Sequence, residues 1–200
     1  MTAKPVQIRL RGVAKSFGGK RVLAGLDLDV HEGESLVVIG GSGTGKSVLL
    51  KHMIGLLAPD SGTVEVDGVR LADLDYREIT TFRRRFGMAF QEGALFDSMT
   101  VWENVAFPLR RAGWPRERIA ARVAECLEPV HLDRPEKKLP AQPTGGMRPR
   151  AGFPRATALT PKFLPFDVAN TGSASVHMGG ADRWLVTLPR LSRCYPLSTH

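Results

Sequence analysis

Residues 35–53 run SLVVIGGSGTGKSVLLKHM. The opening Ser35–Ile39 is a short apolar run of the kind that forms a strand buried in a sheet. Gly40, Gly41, Ser42, Gly43, Thr44, Gly45, Lys46 and Ser47 then match G-x-x-x-x-G-K-[ST] in full. Helical periodicity follows from about Lys46 to Leu56. Each residue type has a physical task. Glycines let the main chain turn so that successive N–H groups converge on phosphate oxygens. The start of a helix adds partial positive charge. Lys46 supplies an ammonium between two phosphates, and Ser47 a hydroxyl ligand for Mg²⁺. The segment therefore predicts a polyphosphate cradle for a nucleotide, with ATP and Mg²⁺ as the expected pair.

Working outward, Pro5–Val13 and Arg21–Val30 alternate apolar and polar residues and are expected as strands. Pro59-Asp60-Ser61-Gly62 is a turn signal, Thr63–Asp67 another alternating strand, and Asp67-Gly68 a hairpin turn. Phe86–Phe90 is an apolar strand candidate. Thr100 with Glu103 three residues on predicts a helix start, and Arg116–Glu128 has helical periodicity. The expected class is α/β: a P-loop core, an antiparallel β-subdomain from the N-terminal strands, and a small helical subdomain from about Thr100 to Pro140.

The bulk properties exclude several classes. Hydrophobic content of 42% suits a globular protein, and no run of about 18 apolar residues spans a membrane. MTAKPVQIRL has no apolar signal core, which argues against secretion. Cys126 and Cys194 sit in no metal or CxxC spacing and are expected as free thiols. The net charge of +8 invites a nucleic-acid reading. Its distribution argues against one. Residues 1–135 carry 19 Lys and Arg against 17 Asp and Glu, and residues 136–200 carry 9 against 3. The excess follows from scarce acids in the last third, where no basic stripe forms, so no nucleic-acid partner is expected.

The flanks of the phosphate loop resemble the ATP-binding subunits of ABC transporters. Phe17, in KSFGGK, stands where that family places an aromatic that stacks on adenine, a contact of about 1–3 kcal/mol. Gln91, after FGMAF, matches the Q-loop glutamine, which the resemblance assigns to Mg²⁺ and the attacking water. GGSGTGKSVLLKHMIGLL, PDSGTVEVDG and FGMAFQEGALFDSMTVWENVAFPLR look more narrowly like the Mla-type phospholipid-transport (toluene-tolerance) ATPases. That resemblance implies a lipid permease in the inner membrane as partner, contacted by a groove at Glu92–Asp97. It also implies a second copy of the ATP-binding subunit, indirect coupling to a periplasmic lipid-binding subunit, and a cytoplasmic location peripheral to the inner membrane. P-loop kinases and GTPases lack a glutamine loop and a GGM motif in these places.

The likeness is close from about Val6 to Leu132 and frays from about residue 140. Seven prolines fall between Pro135 and Pro165. Pro143-Thr144-Gly145-Gly146-Met147 stands at the signature motif, so Thr144, Gly145 and Gly146 would face the ATP of a partner subunit. Asp167 stands at the Mg²⁺-directing aspartate of the Walker B strand. The general-base glutamate position holds Val168, which can neither take a proton nor orient water. The following D-loop is lost at Ser173 and Ala174, and His200 lies at the spacing of the switch histidine without its strand. Pro154 would cost a helix interior about 3 kcal/mol, and Pro165 interrupts a strand expected to be central. The domain organisation expected is an ABC-type ATP-binding domain over 1–172, degenerate from about 140, and a non-homologous, disordered tail over 173–200 in which WLVTL is an island without a partner. Leu→Pro, Arg→Pro, Ala→Pro and Ser→Thr are each one base change in GC-rich codons. A misread gene with a frameshift near residue 173 would give this pattern. A clean, uninterrupted frame on resequencing would rule that out.

Overall fold

A computed structural model describes residues 4–41, 43–88, 95–130, 137–140, 147–168 and 182–187. The chain divides into two units, Met1–Phe86 with Val168–Leu188, and Gly87–Asp167 with Pro189–His200.

The first unit opens on a long hairpin. β1 (Val6–Phe17) and β2 (Lys20–His31) pair antiparallel, joined by Gly18 and Gly19, both at positive φ, the geometry of a two-residue turn whose twist suits the strands. β3 (Ser35–Gly40) leads into α1 (Lys46–Met53). The helix stops at Gly55, whose φ is 69°. β4 (Ser61–Val66) and β5 (Val69–Arg70) close a sheet ordered β2-β1-β4-β5. The expected hairpin at Asp67-Gly68 is present, with φ of 52° and 78° and Val66 paired to Val69. Alternation places Ile8, Leu10 and Val13 of β1 with Val64 and Val66 of β4 on the buried face, so the antiparallel subdomain is as the sequence predicts. A β-bulge at Gly12 shifts the register between Leu10 and Val13, and its N–H donates to the Asp27 carboxylate at 2.6 Å.

α2 (Tyr76–Phe82) escapes the pattern search, being only 7 residues long. Its signal was present nonetheless. Asp75 accepts from the N–H groups of Arg77 and Glu78, both at 2.7 Å. Glu78 accepts from the Asp75 N–H at 2.8 Å, a full capping box.

The second unit is helical. α3 (Val101–Arg111) starts at Thr100 with the expected capping box. It packs with α4 (Arg116–Leu127) and α5 (Met147–Thr157) around Val101, Val105, Leu109, Ile119, Val123 and Leu127. The helical subdomain therefore reaches beyond the Pro140 limit expected from the sequence. α5 persists through Pro154. Its next turn is tied by the Thr157 hydroxyl, which donates to the Phe153 carbonyl at 3.0 Å, and Arg122 donates to the carbonyls of Thr157 and Ala158 at 3.2 and 3.0 Å. β6 (Leu164–Val168) likewise forms with Pro165 inside it. Phe86–Phe90 does not appear as a regular strand within its described part, Phe86–Met88, although the Gly87 N–H donates to the Phe163 carbonyl at 2.9 Å. Residues 89 and 90 lie outside the described set.

Two expectations need correction. β7 (Asp182–Thr187) is a strand inside the stretch expected to be disordered, and its WLVT has a partner: it pairs antiparallel with β3, from Ser35 opposite Thr187 to Gly40 opposite Asp182. A β-branched and aromatic stretch satisfies the backbone groups of a neighbouring strand whichever way it runs. Second, β3 is not buried on both faces. Val37 and Ile39 are 49% and 55% exposed, so among the described residues this face of the strand is only partly covered.

Gly62 is where the sheet tolerates least. Its φ is 86°, and a Cβ there would run into the Gly12 carbonyl and the Arg11 oxygen. Gly62→Ala is expected to cost about 2 kcal/mol or more, combining backbone strain with overpacking. A urea titration followed by circular dichroism measures it, and a midpoint unchanged from the parent chain would contradict this packing.

Candidate nucleotide-binding site

The phosphate loop takes the shape its glycines allow. Gly43 and Gly45 both have positive φ, 77° and 95°. Gly45 is the N-cap of α1 and makes no side-chain cap. The first N–H groups of α1 are thus left for an external acceptor. The Thr44 hydroxyl donates to the Gly41 carbonyl at 2.9 Å. The same threonine sits so close to Gly40 that a Cβ there would lie 2.8 Å from its Oγ1.

Lys46 is buried, with its Nζ donating to the carbonyls of Gly40 and Gly41 at 2.8 and 2.7 Å. The ammonium thus closes the loop from within and stands beside the helix start. Ser47 is exposed in the first turn of α1. Ser42 lies outside the described residues.

Gly45 also explains how the loop is aligned with Phe17. A Cβ on Gly45 would come within 2.9 Å of Val22 Cγ1 and 3.0 Å of the Val22 carbonyl. The loop is therefore pressed onto β2, two residues after Lys20. Lys20 is the register partner of Phe17 across the Gly18-Gly19 turn. Phe17 is 48% exposed, with the Lys15 ammonium 5.7 Å from its ring centroid. That ammonium is itself held by Asp60 at 2.6 Å. Asp60 takes a second bond from the Ser16 N–H at 2.7 Å, and the two together hold its carboxyl below the usual range, the Lys15 bond contributing most.

The remaining predicted site residues belong to the other unit. Asp167 lies on β6 with Val168 after it. Gln91, Thr144, Gly145 and Gly146 lie outside the described residues, as do Glu92 to Ala94 of the expected permease groove. The neighbouring turn is described, and it shows a residue that sequence reasoning missed. Asn104, fully buried, accepts from the Phe96 N–H at 2.8 Å and donates to the carbonyls of Phe96, Met99 and Thr100 at 3.0 to 3.1 Å. A lone Asn in a helix carries no periodic signal, so only its position four residues after the Thr100 cap could have suggested it. Arg155 reinforces the same turn, its guanidinium 4.5 Å from the Phe96 ring centroid.

Comparison with known proteins agrees with this geometry. Residues 23–170 match the family model described as ABC transporter.

The chain belongs to the ABC transporter family. It is 44% identical over 168 residues to the "Probable ribonucleotide transport ATP-binding protein mkl" of Mycobacterium leprae, covering 84% of this chain and 48% of that protein. It is 44% identical over 166 residues to the methionine import ATP-binding protein MetN of Caulobacter vibrioides, covering 82% and 50%. The chain thus spans about half the length of the curated relatives it matches. Among solved structures, cbiO1 of Clostridium perfringens superposes with a TM-score of 0.71 at 25% identity, over 84% of this chain and 67% of that one. The dimeric cassette MJ0796 bound to ADP and Pi gives 0.67 at 31% identity, over 80% and 73%. These likenesses agree with the α/β P-loop architecture.

The residues present fit a magnesium nucleotide. A loop crowded at Gly40 and Gly45, uncapped helix N–H groups, one buried ammonium and one exposed hydroxyl form a donor set for a polyphosphate and its metal. ATP with Mg²⁺ would supply the phosphates and the coordinating charge. On the protein side, Lys46 would exchange its carbonyl contacts for phosphate oxygens, and Phe17 would offer a ring face to the base.

Lys46→Ala is expected to weaken Mg·ATP binding by at least about tenfold, since charged hydrogen bonds contribute roughly 1.5–3 kcal/mol. Titration with a fluorescent ATP analogue checks this; an unchanged affinity would remove the phosphate-cradle assignment. Asn104→Ala is expected to lower stability by about 1–3 kcal/mol by orphaning buried backbone groups, read from the urea midpoint.

Proposed function

We propose that this chain is the ATP-binding subunit of an ABC transporter, in which ATP binding draws two such subunits together and drives a membrane permease. The observation that supports it most is the loop between β3 and α1, with Lys46 seated on the Gly40 and Gly41 carbonyls. Family membership adds the dimeric, permease-bound setting as an expectation. No helix among the described residues is long and apolar enough to cross a membrane. Ser47, Gln91 and Asp167 would share the Mg²⁺, and Thr144, Gly145 and Gly146 would approach the ATP of the opposite subunit.

The finer reading is phospholipid transport across a Gram-negative envelope, with a lipid permease at the inner membrane and a periplasmic lipid-binding subunit beyond it. Its support is the resemblance of GGSGTGKSVLLKHMIGLL, PDSGTVEVDG and FGMAFQEGALFDSMTVWENVAFPLR to the Mla-type subunits. The relatives named above carry other cargoes in their names, ribonucleotide and methionine. The nucleotide machinery is common to all of them and does not select among cargoes.

A second reading is favoured by Val168. A nucleotide-binding remnant would hold ATP and dock without turnover, because valine offers no base for water. The purified chain is expected to bind Mg·ATP yet hydrolyse it at least about 10²-fold more slowly than Val168→Glu, the usual span of a general base. A phosphate-release assay at saturating ATP compares the two. Turnover by the parent chain equal to that of the variant would eliminate the remnant.

A further inference from the structure

The turn between α3 and α4 gathers positive charge. Residues 110–118 run RRAGWPRER, four arginines against the single acid Glu117. The turn is tight. The Gly113 N–H donates to the Arg110 carbonyl at 3.0 Å and the Trp114 N–H to the Leu109 carbonyl at 3.2 Å. With Gly113 at a φ of 78°, this is a full Schellman ending. Pro115 then stands at the N-cap of α4. Arg110 and Arg111 in the last turn of α3, and Arg116 and Arg118 in the first turn of α4, are thereby held at one end of the helical pair. All four are exposed, and none is bonded to a carboxylate among the described residues.

Two of these charges do nothing for their own helix. Arg110 and Arg111 complement the negative end of α3, whereas a cation in the first turn of α4 works against the positive end of that helix. A locally unfavourable charge that gains no partner within the chain points to one outside it.

Trp102 and Trp114 stand beside the cluster, both half-buried and packed against the helical core. The Arg110 guanidinium lies 5.5 Å from the Trp102 ring centroid, and that of Arg118 4.6 Å from the Trp114 centroid, within cation–π range. With the core against it and a guanidinium over it, neither indole offers the open π-face on which a nucleotide base stacks. Arginine beside tryptophan is instead the composition of surfaces that rest on anionic headgroups, where tryptophan favours the interface and arginine the phosphate.

We propose that the α3–α4 turn is a contact site for an anionic lipid surface, with Arg110, Arg111, Arg116 and Arg118 meeting headgroup phosphates and Trp114 settling at the interface. The contact belongs wholly to the second unit and needs neither nucleotide nor permease.

Flotation of the full chain with vesicles tests this. The chain is expected to bind vesicles of phosphatidylcholine mixed with phosphatidylglycerol, to ignore phosphatidylcholine alone, and to be released as salt screens the surface. One basic side chain near such a surface strengthens association roughly fivefold. Arg116→Glu with Arg118→Glu should therefore weaken binding by at least about tenfold. Both acids suit the start of α4, so the far-ultraviolet circular dichroism spectrum should not change. Arg77→Glu with Arg84→Glu makes the same charge change on exposed residues of the first unit and should leave most of the binding intact. Trp114→Leu should weaken it a few-fold. Absence of binding, or equal binding to both kinds of vesicle, would overturn the proposal. So would equal losses from the two arginine pairs, which would reduce the effect to net charge. Single-stranded RNA that competed the vesicles away would assign the cluster to nucleic acid instead. Binding unaffected by Trp114→Leu would remove the tryptophan from the contact.

Discussion

The first unit is organised around one close approach of backbone to backbone, Gly45 against Val22. A side chain at residue 45 would separate the phosphate loop from β2, and the loop would lose both its seat and its alignment with the hairpin that ends at Phe17. The contact joins the loop to the strand whose turn carries Phe17, although 23 residues separate Phe17 from Gly40. The positive φ of Gly45 serves a second end, letting the chain turn directly into α1 without a capping side chain. An Asn or Ser there would occupy the very N–H groups that an anion needs.

Much of this arrangement was legible in the sequence because the signals are local. G-x-x-x-x-G-K-S fixes loop conformation through glycine and lysine alone, and the hairpins of β1, β2, β4 and β5 announce themselves by alternation and turn residues. Thr100 with Glu103 marks its helix by a bond pattern that closes within one turn. Features that depend on distant neighbours were not legible. Asn104 looks ordinary until Phe96, Met99 and Thr100 fold over it. The bulge at Gly12 has meaning only once Gly62 is brought against it. α2 was overlooked because seven residues hold too little periodicity to outweigh their flanks, although its capping box was there to be found. Of the site itself, the described part of the phosphate loop is pressed against β2 at Val22, whereas Ser42, Gln91 and the signature glycines lie outside the described residues.

The C-terminal part shows where composition-based expectation fails. Two interior prolines do not prevent α5 or β6. A helix held by tertiary contacts on several sides can lose one hydrogen bond and persist, and here Arg122 and the Thr157 hydroxyl take up neighbouring carbonyls. WLVT, which had no evident role, is drawn to the open edge of β3. A penalty of a few kcal/mol therefore tells against stability without telling against structure.

The uncovered face of β3 has a bearing on how the molecule behaves in bulk. Val37 and Ile39 are half-exposed among the described residues, and an apolar surface of that kind is a ready seat for another copy. Colloidal behaviour is thus coupled to the same strand that carries the nucleotide loop. Crowding two molecules face to face would shield these side chains from water, so concentrated solutions of the chain will tend toward reversible clustering, and mild amphiphiles that coat the strand will disperse it.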